Sequence, residues 1–300
     1  MLRKMAAVAH PRFFFQRIMR QGRGIGPYCV LSFDCDFPRD VAVLPQLVEV
    51  LGRYDVKASF ACIGQWVRAY PTEHRCLVEA GHELLNHTQT HPNLYHPGYD
   101  YARTTGLSKE YFNRIGRDAR REEIGRCHAT FSEILDVVPT GFRTPHFGAL
   151  HVDDIYPILA ELGYRFSSSL TAGKRGVKPF LVENGLWEVP LSPCPLHPFG
   201  VFDSWHSLAK VNASHAGEGE LAALFSHLID FVSSQGGLAN VYFDPCDMLG
   251  SGEMERVLQL LVESGLPVIT YGELVDILES EEVGLSALNC SKTEQCHLVD

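Results

Sequence analysis

The feature of this chain that most restricts its fold is a regular alternation of short apolar runs with amphipathic stretches. Tyr28–Phe33, Lys57–Ile63, Glu83–Leu85, Gly141–Pro145, Tyr164–Leu170, Leu186–Leu191, Leu238–Phe243 and Leu266–Ile269 read as strands, some of them short. Between them, Val41–Tyr54, Glu73–Ala80, Ser108–Val137, Val152–Leu162, Gly219–Ser234, Gly252–Ser264 and Tyr271–Leu278 carry helical periodicity. Gly81 and Gly163 follow two of these stretches directly, as helix-ending glycines do. Strands that alternate with helices build parallel βαβ units. Their number predicts an α/β fold, a distorted (β/α) barrel of seven or eight strands in a single domain. About 250 residues suffice for such a barrel. The expected division is a basic, aromatic arm over 1–26, the catalytic barrel over 27–280 and a tail over 281–300, where the alternation is lost.

Charge narrows the partners. Lys and Arg number 26 and Asp and Glu 36, a net charge of −10. That balance argues against a nucleic-acid partner and against a basic membrane-binding face. The apolar stretch near the N-terminus is broken by His10, Pro11 and Arg12, too early for a secretory signal. Phe13, Phe14 and Phe15 with Arg12, Arg17, Arg20 and Arg23 are expected to form an arm that packs on the body or on a partner rather than on a membrane. The nine cysteines are an odd number and include no Cys-x-x-Cys, which suits a reducing compartment. A cytoplasmic protein is expected.

The chemistry-bearing residues fall at strand ends. Asp34 and Asp36 close the first apolar run, and residues two apart on a strand face the same way, so Cys35 faces the opposite way. His87 and His91 are four apart and can meet one point if the segment makes a helical turn. One carboxylate and two imidazoles form a three-ligand set with an open fourth position, the pattern of a catalytic zinc ion. The spare carboxylate is then available to take a proton from a metal-activated water. Arg143, in Gly141-Phe-Arg-Thr-Pro145, can hold a carboxylate by a paired hydrogen bond, or can simply be a surface residue of a Pro turn. His146 and Phe147 can line a substrate pocket. Trp187 reads as a sugar-stacking platform or as core, and Asp244 as a strand-end turn residue. His197 lies in a Pro-rich passage after Trp187-Glu188.

Taken in order, Ser-Phe-Asp34-x-Asp36, Lys57-Ala-Ser-Phe60 with Gly64, Glu79-Ala-Gly81-His82-Glu83-Leu-Leu-Asn-His87-Thr-x-x-His91-Pro and Gly141-Phe-Arg143-x-Pro145 resemble the polysaccharide deacetylase family, the NodB-like carbohydrate esterases. The resemblance runs from about residue 27 to 275. It implies a distorted (β/α) barrel. It implies Asp34 as general base, Asp36, His87 and His91 as ligands of one divalent ion, usually zinc, and Arg143 as the residue that orients the base. The expected reaction is metal-dependent removal of an N-acetyl group from an amino sugar or sugar conjugate. Alternatives are hydrolysis of another non-peptide C–N bond, in a cyclic amide or ureide, and a weakened member that only binds carbohydrate. The chain departs from the family where the acid that protonates the leaving amine is a histidine: here stands Asp244. Either burial raises the pKa of Asp244, or His146 or His197 supplies the proton, or the chemistry differs. His146, Phe147, Trp187 and His197 remain the expected substrate contacts.

Overall fold

The computed structural model describes residues 9–96, 99–100, 109–147, 152–172, 176–182, 184–209 and 213–281. The expected tail over 281–300 lies outside them except for its first residue. The strands are β1 (Tyr28–Cys35), β2 (Ser59–Cys62), β3 (Glu83–Asn86), β4 (Tyr95–His96), β5 (Tyr99–Asp100), β6 (Gly141–Phe142), β7 (Phe166–Ser167), β8 (Phe180–Leu181), β9 (Trp187–Glu188) and β10 (Leu238–Phe243). Eight of them form one sheet in the order β10-β1-β2-β3-β6-β7-β9-β8, and β4 pairs only with β5. From β10 to β9 every neighbour is parallel; β8 alone is antiparallel. Parallel neighbours need crossover helices. Those over Leu44–Arg53, Pro71–Glu79, Arg117–Leu135, Val152–Glu161 and Glu220–Gln235 supply them.

The barrel is curled but not closed by a strand ladder. β10 and β9 face each other across a gap that polar groups bridge. Ser192 N donates to Asn240 O at 2.8 Å, and Asn240 N to Ser192 Oγ at 2.9 Å. The Asn240 amide donates to the carbonyls of Val189 and Pro190, each at 3.1 Å. A buried Asn thus makes the bonds that a further strand pairing would otherwise make. This is why the barrel is distorted.

The alternation of side chains separates two environments. On β1, Leu31, Phe33 and Cys35 join the large apolar cluster beneath the helices. Ser32 and Asp34 point the other way, into the polar interior. The arm belongs to the same body: in the helix Pro11–Met19, Phe15, Ile18 and Met19 are buried, and the Phe15 ring lies 5.9 Å from that of Phe231.

Three elements differ from the sequence reading. The helix expected over Val41–Tyr54 is two, Pro38–Ala42 and Leu44–Arg53, with Pro45 in the first turn of the second. The long helix runs only over Arg117–Leu135, because Tyr111 bridges Asn93 as extended chain and Gly116 provides the cap. Leu266–Ile269 makes a single bridge, Val268 with Cys29, rather than a strand.

Candidate active site

The polar residues gather at the C-terminal ends of β1, β3, β6 and β10, the end where barrels of this class carry their sites. Asp36 follows β1. His87 and His91 follow β3, and their backbone does not make a helical turn. Instead Thr88 and His91 adopt left-handed backbone, with φ of 66° and 52°. That is a strained choice for non-glycine residues, above all a β-branched one. Local bonds hold it. Thr88 N donates to Asn86 Oδ1 at 2.8 Å and His91 N to Thr88 Oγ1 at 3.2 Å. The loop also presses on Gly64, whose N–H donates to Thr88 O at 3.0 Å. A Cβ at Gly64 would stand 2.2 Å from the end of the Gln89 side chain and 3.1 Å from Cys127 Cα, so a larger residue would have to displace Gln89.

Asp36, His87 and His91 present one ligand atom each, all within 4.8 Å of one another. His87 Nδ1 lies 2.8 Å from Arg143 O. A carbonyl only accepts, so Nδ1 carries the proton and Nε2 turns a lone pair inward. That Nε2 is 3.2 Å from Asp36 Oδ1, and His91 Nε2 is 3.4 Å from it. Burial holds the His91 imidazole neutral, its pKa lowered to about 4. Burial opposes ionisation of Asp36, but His91 and His87 outweigh it and hold the carboxyl well below its usual range. Asp36 Oδ1 has no hydrogen-bond donor of its own. Three acceptor atoms directed at one point are an arrangement that a bound cation satisfies. Ligand bonds of about 2.0–2.2 Å at a tetrahedral ion put N and O atoms about 3.4 Å apart, which the two distances to Asp36 Oδ1 match. The donor set fits a divalent ion such as zinc.

Asp34 stands beside this set, 3% exposed. Its Oδ1 accepts from Arg143 Nη1 at 2.5 Å. Burial pushes the Asp34 carboxyl up, and the Arg143 guanidinium works against that rise. Arg143 is fully buried, not the surface residue of a Pro turn. Its other donors reach Ser32 Oγ at 2.9 Å, the Tyr271 hydroxyl at 2.6 Å and Ser168 O at 3.3 Å. Tyr271 in turn donates to Asn240 Oδ1 at 2.6 Å. The guanidinium therefore links β1, β6, the chain after β7 and the helix over 271–281 to one carboxylate.

Asp244, at the end of β10, is 8% exposed. Ser204 Oγ donates to its Oδ2 at 2.8 Å, and its own N–H donates to Ser204 Oγ at 2.6 Å. Burial, then Asp40 and Asp36, push its carboxyl well above the usual range. Asp40 is raised to about 7 by burial and by Asp36. Burial and the neighbouring carboxylates thus favour the protonated form of Asp244, the form a proton donor needs.

The four expected substrate residues separate. His146 is half-buried in left-handed backbone, φ 55°, and its ring lies 5.0 Å from that of His91. Phe147 packs 4.6 Å from Tyr242, its ring 5.6 Å from the Arg143 guanidinium carbon. Trp187 is core and not a platform: it is 7% exposed on β9, among Val30, Phe166 and Leu274. His197 groups with Cys194 and His215 rather than with the Asp36 set. Glu188, beside Trp187, does not face the site. Its carboxyl accepts from the N–H groups of Ser169 and Leu170 and from Tyr156, which makes it a strand-end cap.

Sequence reasoning missed Asp40, Ser204, Tyr271 and Asn240, together with the pair Asp203 and His206. Asp203 Oδ2 lies 2.5 Å from Nδ1 of the exposed His206, whose backbone N–H donates to Asp203 Oδ1 at 2.6 Å. The only cue was local: an acid three residues before a histidine in Asp203-Ser-Trp-His206.

The polysaccharide deacetylase family model matches residues 22–167. Over 81 residues the chain is 38% identical to a chitooligosaccharide deacetylase of Sinorhizobium fredii, 27% of this chain and 36% of the relative. Over 95 residues it is 33% identical to a peptidoglycan-N-acetylglucosamine deacetylase of Bacillus cereus, 30% of this chain and 34% of the relative. The matched part is about a third of the length of these curated relatives. A crystal structure assigned as a polysaccharide deacetylase from Mycobacterium smegmatis superposes with a TM-score of 0.66 at 19% identity, covering 87% of this chain and 92% of that one. At that identity the likeness concerns the fold.

Proposed function

We propose that the chain, whose residues 22–167 match the polysaccharide deacetylase family model, hydrolyses the N-acetyl group of an amino sugar or sugar conjugate with one divalent ion, zinc, as cofactor. The observation that carries this reading is the buried Arg143–Asp34 pair set beside the convergent Asp36, His87 and His91. When bound by those three residues, the ion supplies Lewis-acid polarisation of the acyl oxygen and makes water a nucleophile at neutral pH. Asp34 accepts the proton of the attacking water. Arg143 fixes the direction in which that carboxylate points. Asp244 donates its proton to the leaving nitrogen, so the amine departs neutral and acetate remains. His146, beside His91, and Phe147, beside Tyr242, are assigned to contact with the sugar ring. The test is a metal-supplemented screen of N-acetylated amino sugars for released acetate. Turnover of cyclic amides or ureides, with acetamido sugars untouched, would move the assignment to another C–N hydrolase.

Metal content gives an independent check. Protein purified without chelator should bind about one zinc at Asp36, His87 and His91, and His87→Ala/His91→Ala should lose it. Equal zinc at this site in the double variant, read by titration calorimetry, would remove the ligand assignment.

A second reading, a carbohydrate-binding member without turnover, draws on Asp244 standing where the family uses histidine. The two readings part at acetate release in that screen, and the enzyme reading is tested further at Asp244→Asn. If Asp244 is the acid, kcat should fall by roughly 10²-fold or more with KM little changed. Near-normal kcat in Asp244→Asn, with a large loss in His146→Gln, would transfer the role to His146.

The reading includes a cytoplasmic location. The seven cysteines among the described residues are all free, five of them buried, which suits a reducing compartment. Among those residues no helix is long and apolar enough to cross a membrane. Cell fractionation that finds the protein outside the cytoplasm would overturn this part.

A further inference from the structure

A second convergence of metal-ligating side chains lies on the loop that follows β9. Cys194 and His197 occupy a tight turn, in which His197 N donates to Cys194 O at 3.2 Å and Gly200 N to His197 O at 2.7 Å. The turn is the tip of a small hairpin, closed by the antiparallel bridge of Pro193 with Val201. His215 reaches the same point from farther along, anchored by its N–H to Ser207 O at 3.0 Å. Cys194 Sγ lies 3.9 Å from His197 Nδ1 and 3.9 Å from His215 Nε2. The three ligand atoms all fall within 4.8 Å of one another.

Ordinary hydrogen bonding explains this poorly. A thiol has one proton, and two imidazole nitrogens approach its sulfur at the same long distance. Packing alone explains it no better, because the two rings stack with centroids 5.4 Å apart and turn their nitrogens to the sulfur. Bonds of about 2.3 Å to sulfur and 2.0–2.1 Å to nitrogen at a tetrahedral ion place S and N about 3.6 Å apart. The observed spacing needs a contraction of only a few tenths of an ångström. Burial raises the Cys194 thiol, with the backbone N–H groups of Leu196 and His197 acting against that rise. Cys194 and His215 are buried, whereas His197 is exposed, so the position has an inner wall and an open side for entry.

We propose that Cys194, His197 and His215 form a second metal site, distinct from the Asp36, His87 and His91 set, and that it takes zinc. A thiolate with two imidazoles is a soft-to-borderline donor set that suits zinc and excludes magnesium and calcium. Binding releases the thiol proton. The ion ties Cys194 to His215 across the loop that carries Ser204, the hydrogen-bond partner of Asp244. The second site therefore acts as a clamp on that loop.

The experiment uses the full chain, stripped with chelator and titrated with cobalt(II). Asp36, His87 and His91 offer no sulfur, so a near-ultraviolet thiolate-to-cobalt charge-transfer band reports the second site alone. The wild-type chain should develop this band with one equivalent at saturation, and zinc should abolish it by displacement. His87→Ala/His91→Ala should keep the band, and Cys194→Ser should lose it. His197→Ala changes an exposed residue and leaves the fold in place; it should weaken cobalt binding at this site at least tenfold. No thiolate band in the wild-type chain, or an undiminished band in Cys194→Ser, would overturn the proposal. Unchanged affinity in His197→Ala would do the same.

Discussion

Asp34→Asn will lower kcat by roughly 10²–10⁴-fold, the usual cost of losing a general base, and will leave the zinc content unchanged. The two halves of this expectation come from different atoms. Asp36, not Asp34, shares its oxygen with the two imidazoles, at 3.2 and 3.4 Å. Asp34 spends its Oδ1 on Arg143 at 2.5 Å. An asparagine in that place can still accept from the guanidinium through its carbonyl oxygen, so position is kept and basicity is lost. KM should change little, since the residue makes no contact that differs between bound substrate and transition state except through the proton. The measurement is kcat, KM and bound zinc on the same preparation. Loss of zinc together with activity would show that Asp34 is a ligand. Wild-type turnover with zinc in place would remove it from the reaction.

The parts of this site that were legible in the sequence are those whose partners lie close along the chain. Asp34 and Asp36 share a face because a strand has a period of two, and β1 keeps that period to Cys35. β10 spans Leu238–Phe243, the boundaries its apolar run marks. The His87 and His91 spacing was readable, but not the backbone that realises it. Left-handed residues such as Thr88 carry no signature when they are not glycine, and the device that holds this one is a side-chain bond from Asn86. Ser204 meets Asp244 across 40 positions and left no trace, whereas Arg143, 109 positions from Asp34, was legible as its partner only through the family resemblance. Trp187 could be read from sequence as a sugar-stacking platform or as core, because an indole serves in both places. A two-residue strand between two others buries Trp187 and Glu188 alike, and only the sheet order reveals that.

Arg143→Met is expected to be the most damaging single change, and to damage in a way that depends on pH. The guanidinium is fully buried and makes bonds to Asp34, Ser32, Tyr271 and Ser168. Removing one partner of a buried ion pair leaves the other uncompensated, which costs about 3–5 kcal/mol. Methionine fills much of the volume, so the loss reports charge rather than a cavity. Burial raises the Asp34 carboxyl and Arg143 is the main influence lowering it. Without Arg143 only the raising influence of that pair remains, and the folded-state pKa climbs farther above the unfolded value of about 3.9. A group raised on folding contributes stability that is fully present below its unfolded pKa and is lost as pH rises through the folded one. The stability deficit of Arg143→Met should therefore be smaller at pH 5 than at pH 8. Activity should move the other way, with the acid limb of kcat/KM displaced to higher pH because the base must first ionise. Urea unfolding of the two proteins in chelator at both pH values, with pH–rate profiles of the zinc-loaded forms, measures both. A deficit below about 1 kcal/mol would mean that the pair contributes no more than an exposed ion pair. An equal deficit at the two pH values, with an unmoved acid limb, would show that Arg143 supports the barrel through Ser32, Ser168 and Tyr271 and leaves the protonation of Asp34 to other groups.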